Sequence, residues 1–419
     1  MINRRNEEML GLYCGIDWAT AHHDVAVIDD DGKVVARGRV SNDAAGLAAL
    51  LILLAEAGDS SDHRVPIGIE TDRGLFVAAL RETGRTIYPI NPLAASRYRA
   101  RYSVAGAKSD AADAVLLANI VRTDPGAHRP LPADTELAQA IRVLARAQQD
   151  AVWARQQVGN QIRDLLKDFY PAAMVAFAGL PQGGLARADA RVILTAAPTP
   201  AQAAALTPAR LRRLLVKAGR QRHLDRDVER LRDIFTDTYL HQPLVVENAM
   251  GIQLTSLLRQ FDAACTAVAE LAEAAIAHFE QHPDAEIITS FPGLGNLAGA
   301  RVLAEIGDDR TRFADARGLK AFAGSAPITR ASGKKTVVLH RHIKNRRLAA
   351  VGSIWALSSL RGSPGARRHF DTRRAAGDWN RQAQRHLFNK FLGQLHHCLH
   401  TSQLYDEHVA FPPPLQLAA

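Results

Sequence analysis

Residues 13–41 read YCGIDWATAHHDVAVIDDDGKVVARGRVS. Three runs in this stretch, YCGID, HDVAVIDD and KVVARGRVS, read as strands. The segment DDDGK (29–33) supplies the acidic and glycine residues of a tight hairpin turn between the second and third. A meander of three strands is therefore expected at the start of the chain.

Working outward, residues 44–57 carry an apolar stripe from Leu47 through Leu54 and predict a helix. The strand VPIGIE follows, then a short helix from Gly74 to Thr83, the strand TIYPI, and a helix beginning near Ser109. Three meandering strands followed by strand–helix alternation is the order of ribonuclease H-like α/β folds. The segment TDPGAHRPLPA (123–133) concentrates proline and glycine and reads as a linker. Beyond it, Leu137, Ile141, Leu144, Ala151, Val158, Ile162, Leu165 and Phe169 keep a spacing close to 3.5 residues. So do Leu254, Leu257, Phe261, Ala264, Val268, Leu271, Ala275 and Phe279. Two long amphipathic helices are expected, paired with each other or with another subunit. Residues 179–209, rich in Gly, Ala and Pro, read as irregular. From about Pro283 a mainly helical region with glycine-rich turns begins.

The chain has 419 residues, 47% hydrophobic and 23% charged, which is the profile of a globular protein of two to four units. Its three cysteines, Cys14, Cys265 and Cys398, stand far apart and exclude a disulfide framework or a CxxC zinc site. That usage fits a reducing cytoplasm. The opening MINRRNEEML lacks the apolar core of a signal peptide, and proline breaks the long uncharged runs, so no membrane partner is expected. The net charge of +9 is segregated: between Arg330 and Lys390 fifteen Lys or Arg face two acids, Asp371 and Asp378. A basic cluster this dense marks a polyanion-binding surface, most often for nucleic acid.

Four acids are arranged for chemistry. Asp17 ends the first strand in GIDWAT, and Glu70 ends the fourth in GIETDRG. Asp110 and Asp113 in AKSDAADA are three residues apart, which places both carboxylates on one helical face. Four carboxylates close together repel unless a cation binds between them, and hard oxygen donors suit Mg²⁺ or Mn²⁺. Two such ions can activate a nucleophile and stabilise a leaving oxygen in phosphodiester chemistry. GIDWAT also has the look of a sugar-kinase phosphate loop, but Trp18 and Ala19 stand where glycines are needed, and no second phosphate loop is present.

In the C-terminal region, FPGLGNLAGARVLAEIGD (291–308) places Gly293 and Gly295 in a turn between helical stretches, as in helix-hairpin-helix modules that hold a phosphate on backbone N–H groups. In FAGSAPITRASGKKTVVLHRHIKNRRL (322–348), Ser332 is expected on a loop followed by Gly333 and flanked by Arg330, Lys334 and Lys335. Arg341, Lys344, Arg346 and Arg347 follow as candidate nucleic-acid contacts. A serine hydroxyl needs help to act as a nucleophile, and neighbouring cations can neutralise charge on an attacked phosphate. On the residues alone, Ser332 is either a phosphate contact or a nucleophile.

GIDWA, IETDRG, AKSDAADA, FPGLGNLAGARVLAEIGD and GSAPITRASGKK, in this order, resemble the transposases of the insertion sequence 110 family from about Gly15 to Leu348. Ser109 stands where that family more often has Thr, and Thr71-Asp72 where it has Thr-Gly. The resemblance implies a RuvC-like domain over 1–124 with its Asp, Glu, Asp, Asp tetrad on Asp17, Glu70, Asp110 and Asp113. It implies a transposase domain over 284–400 with a nucleophilic serine at Ser332, while the seamed helices make the middle, 134–280, a helical, coiled-coil region with an irregular insert near 179–209, and 401–419 a tail. It further implies DNA partners (element ends and target), a structured guide noncoding RNA, a homo-oligomer (dimer or tetramer) and a nucleoid setting in a bacterial cytoplasm. Two other readings stay open: a metal-dependent junction resolvase in which Ser332 only contacts phosphate, and a non-catalytic nucleic-acid-binding protein.

Overall fold

The computed structural model describes residues 11–102, 110–179, 184–333, 335–339 and 341–412, which divide into two compact units meeting between Ala133 and Asp134. The first opens with the expected meander, β1 (Tyr13–Asp17), β2 (His22–Ile28) and β3 (Val34–Ser41). Then follow α1 (Ala44–Ala57), β4 (Ile67–Ile69), α2 (Leu75–Glu82), β5 (Ile87–Pro89), α3 (Pro92–Tyr102) and α4 (Asp110–Thr123). The sheet order is β3-β2-β1-β4-β5, antiparallel through the meander and parallel from β1 to β4 to β5.

Local chemistry explains the element ends. Asp43 caps α1 by accepting the Gly46 N–H at 2.8 Å, and Gly58 closes it in the left-handed region with φ 115°. Helix α3 was not expected. Its sequence, PLAASRYRARY, starts with a helix-compatible proline but lacks an apolar stripe, so periodicity gives no signal there. Helix α4 lies directly on β1 and β4, and glycine is the reason it can. A Cβ at Gly15 would overlap the Ala114 carbonyl oxygen, and one at Gly68 would lie 2.8 Å from the Leu117 carbonyl.

The second unit opens with α5 (Glu136–Phe169) and the single turn α6 (Pro171–Ala173). The segment expected to be irregular, 179–209, is largely helical where it is described: α7 (Ala188–Ala196), α8 (Pro200–Ala204) and the start of α9 (Pro208–Lys217). The prolines that suggested irregularity open helices. Thr199 and Thr207 are N-caps, accepting from Gln202 and Arg210 N–H, with Pro200 and Pro208 at the first helical position. After α10 (Leu224–Thr236) comes the long α11 (Leu244–Phe279), which packs antiparallel on α5. Phe261 sits against Gly159, and both helices contribute to two separate cores. Ile162, Leu166, Leu254 and Phe261 belong to one core; Ile141, Ala145 and Phe279 belong to the other. Between them Ala151, Val158, Ala264, Val268 and Leu271 are half-buried.

The second core is completed by α12 (Ala285–Thr289), α13 (Asn296–Ile306), α14 (Ala316–Ala323), α15 (Arg346–Gly362), α16 (Pro364–Ala375), α17 (Asn380–Thr401) and α18 (Glu407–Ala410). Trp355, fully buried, stacks on Phe391 at 5.0 Å at its centre. Beyond residue 401 the chain folds back. Ala410 and Phe411 are buried in this core, and Glu407 accepts from the Ser363 hydroxyl and the Gly365 N–H. One two-stranded antiparallel hairpin, β6 (Ile328–Ser332) with β7 (Lys335–Leu339), interrupts the helices.

Candidate active site

Parallel pairing sets the first pair of acids. Ile16 faces Ile69 across β1 and β4, so Asp17 and Glu70, each one residue further on, leave neighbouring strands at the same sheet edge, both half-buried. Helix α4 begins with the other two, Asp110 and Asp113, in its first turn, where the helix dipole favours negative charge. Asp110 is exposed and Asp113 is 4% exposed. The two glycine contacts that seat α4 on β1 and β4 are on the same strands that carry Asp17 and Glu70.

Asp113 is not bare. Arg99 of α3 donates from Nε at 3.0 Å and Nη2 at 2.6 Å to its Oδ1. Among the described residues no group of three or more His, Cys, Asp or Glu stands close enough to hold a metal ion. The donor chemistry nevertheless fits a hard divalent cation. Asp17, Glu70 and Asp110 offer hard oxygen donors, whereas the buried Asp113 already has its positive partner in Arg99.

Behind β1, His23 is fully buried. Its Nδ1 accepts the Ala19 N–H at 3.3 Å, which leaves Nε2 to donate to Asn42 Oδ1 at 3.3 Å. The ring therefore pins the turn that follows Asp17. Burial pushes its pKa below the usual histidine value, opposed by the hydrogen bond to Asn42. Burial likewise pushes the Cys14 thiol up to about 12, so the cysteine beside the acids is no nucleophile. The sequence reading missed both Arg99 and His23. The basic run RYRAR was the available signal for the first; nothing in the sequence marks the second.

In the second unit, Ser332 is on a hairpin and not on a loop. It ends β6, pairs with Lys335, and Gly333 turns the chain with φ 56°. The β-branched run TVVL and the left-handed glycine favour the hairpin over irregular chain. Ser332 is exposed, as are Arg330 and Lys335; Lys334 lies outside the described residues. Gly293 has φ 83°, and a Cβ there would overlap backbone of Ser358 and Ser359 in α15. That glycine serves close packing, whereas Gly295, the N-cap of α13, has open space around it.

The remaining basic candidates separate. Arg347 donates to both oxygens of Asp150, at 2.8 and 3.0 Å, and lies 4.9 Å over the Trp153 ring. Arg341 Nε donates to the Ala326 carbonyl at 3.3 Å. Arg346 is exposed, and Lys344 is half-buried with its stem across Gly324.

Comparison with known proteins bears on both units. The family model DEDD_Tnp_IS110, described as Transposase, matches residues 14–171, and the model Transposase IS116/IS110/IS902 family matches residues 285–371. The mini-circle protein for IS117 of Streptomyces coelicolor is 60% identical over 413 residues, covering 99% of this chain and 100% of that one. The chain belongs to the insertion sequence 110 family of transposases. The IS900 42 kDa protein of Mycobacterium paratuberculosis and the IS116 44.8 kDa protein of Streptomyces clavuligerus are each 28% identical to the transposase, over 94% and 97% of its length. The first family match contains Asp17, Glu70, Asp110 and Asp113 of the transposase, and the second contains Ser332. No helix of the described residues is long and apolar enough to cross a membrane.

Proposed function

We propose that this transposase inserts and excises its own element through a covalent link between Ser332 and DNA. The observation that carries this reading is the placement of Ser332, exposed at the turn of a hairpin between exposed Arg330 and Lys335. The serine oxygen forms a bond to phosphorus as the bond to the leaving oxygen breaks, and the serine proton ends on that oxygen. Arg330 and Lys335 favour the charge that gathers on the phosphate. Because one phosphate ester replaces another, no nucleotide cofactor is required.

The sheet order β3-β2-β1-β4-β5 with α4 packed across it supports a ribonuclease H-like, RuvC-like first unit. Asp17, Glu70, Asp110 and Asp113 would hold Mg²⁺ or Mn²⁺ there. When bound, a divalent ion supplies Lewis-acid stabilisation of phosphate oxygens. In this reading residues 284–400 form the transposase domain, and a structured noncoding RNA guides an oligomer to DNA in the bacterial cytoplasm.

The test is denaturing electrophoresis of protein trapped on labelled suicide DNA, with RNA and Mg²⁺ supplied. Wild type is expected to form an adduct; Ser332→Ala abolishes it while DNA binding persists, and Asp17→Ala or Glu70→Ala abolishes recombination with the fold retained. An adduct that survives Ser332→Ala overturns the serine mechanism. Strand cleavage that survives Ser332→Ala with no adduct in either protein would instead identify a hydrolytic resolvase.

A further inference from the structure

The two roots of the Ser332 hairpin come together in the wall of a cavity. Ser325 lies three residues before β6, and Lys344 five residues after β7; together with Arg381, Gln384 and Arg385 of α17 they line a pocket of about 330 Å³. Among the described residues, the pocket wall includes no Asp or Glu. Its cations come from two separate parts of the chain. Arg381 and Arg385 are one helical turn apart on α17, so both side chains leave the same face. The stem of Lys344 crosses Gly324, whose φ of 72° and missing side chain leave room for it. Ser325 is held in place: its hydroxyl donates to the Lys320 carbonyl at 3.2 Å and accepts from Asn389 Nδ2 at 3.0 Å.

We infer that this pocket binds a backbone phosphate of the DNA strand that Ser332 attacks, and so anchors the root of the hairpin while its tip reacts. The inference rests on the reading of Ser332 as the residue that joins DNA. Three cations with amide and hydroxyl donors and no carboxylate make an anion site, and the volume admits a phosphodiester with part of its sugar. Guanidinium groups suit phosphate because their paired N–H donors match its oxygens. DNA is favoured because Ser325 and Lys344 lead from the pocket into the two strands of the hairpin that carries Ser332. Each β strand of that hairpin spans five residues, about 17 Å, so the anchored phosphate and the attacked one lie a few nucleotides apart.

The experiment measures fluorescence anisotropy of labelled single-stranded DNA and of a structured RNA across a salt series, with the full chain. One variant, Arg381→Gln/Arg385→Gln, removes charge. A second, Ser353→Phe, fills the pocket from α15 and keeps every cation; a third, Arg361→Gln, removes an exposed arginine of the same basic segment that does not line the pocket. Expected is a loss of DNA affinity of about tenfold or more for the first two, with the log–log salt slope of the double variant shallower by up to about 1.4 on the single strand. Arg361→Gln is expected to change affinity less than threefold. Equal losses in all three variants, losses confined to RNA, or wild-type DNA binding by Ser353→Phe would each overturn the pocket. Failure of the serine reading is separate: it shows as no adduct in wild type, whatever these affinities are.

Discussion

Arg99 Nε and Nη2 converge on a single oxygen of Asp113, the one buried carboxylate of the four candidate acids. The pair holds α3 against the first turn of α4. It also means that the buried carboxylate of Asp113 already has a positive partner. A cation taken up there would have to share Asp113 with Arg99 or displace it.

Removing Arg99 is therefore expected to be felt first as instability. Arg99→Ala leaves a buried charge unpaired and should cost about 2–4 kcal/mol in urea or thermal unfolding without metal. Mg²⁺ should then raise the melting temperature of Arg99→Ala more than that of wild type, because it supplies the missing charge. Equal stability of the two proteins without metal would show that the pair contributes nothing.

The contact of α4 on β1 gives a sharper prediction. Gly15→Ala places a methyl into the backbone of α4, which cannot give way as a side chain could, so a destabilisation of about 3 kcal/mol is expected. Gly126→Ala, where no atom lies within 4 Å of the added carbon, should change stability by less than about 0.5 kcal/mol. Equilibrium unfolding of both variants checks the contrast. A neutral Gly15→Ala would mean that α4 is not seated as described.

Two adjacent arginines should behave differently. Arg347→Ala loses its pair with Asp150 and its stacking on Trp153, and should cost about 1 kcal/mol of stability. Arg346→Ala, exposed, should leave the melting temperature unchanged and reduce the salt slope of DNA binding by about 0.9. Melting curves and binding isotherms on the same two variants separate the roles.

His23 links the acid edge to pH. Its folded pKa is below the ordinary value of about 6.5, so the unfolded chain takes up the proton first. Its contribution to stability is whole above about pH 6.5 and is lost as pH falls from there through the folded value. Protonation removes the acceptor for the Ala19 N–H, so the protection factor of that amide, its rate relative to the intrinsic rate at the same pH, should fall on acidification through the folded value. His23→Gln should lose the pH dependence of that amide. Ala19 protection that stays unchanged while the His23 ring itself titrates, followed in the same samples by its ring-proton NMR signals, would refute the role given to Nδ1.

The sheet was legible because its strand runs are short and bounded by turn chemistry, and Asp17 and Glu70 share an edge because each ends one of two neighbouring strands. Helix α3 was not, since its residues form no apolar face, and with it the partner of Asp113 was hidden. Thr199-Pro200 and Thr207-Pro208 misled for a definite reason: the same residues that break a helix interior begin one. Ser332 was placed in the right stretch but in the wrong backbone, because five-residue strands flanking a glycine leave too short a pattern to separate from a loop. The pocket at the hairpin root joins residues about sixty positions apart, which no local pattern reports.

The pairing of α5 with α11 has a mechanical meaning. A helix of 34 residues is about 50 Å long, and this one is sunk at each end in a different core. The composition change near residue 280 looks like a seam, but a chain cut there would strip Ile141, Ala145 and Phe279 from the core that supports the hairpin. The helix pair is a strut with both feet set in masonry: a torque applied at one core is delivered to the other, and neither can be lifted out and studied alone.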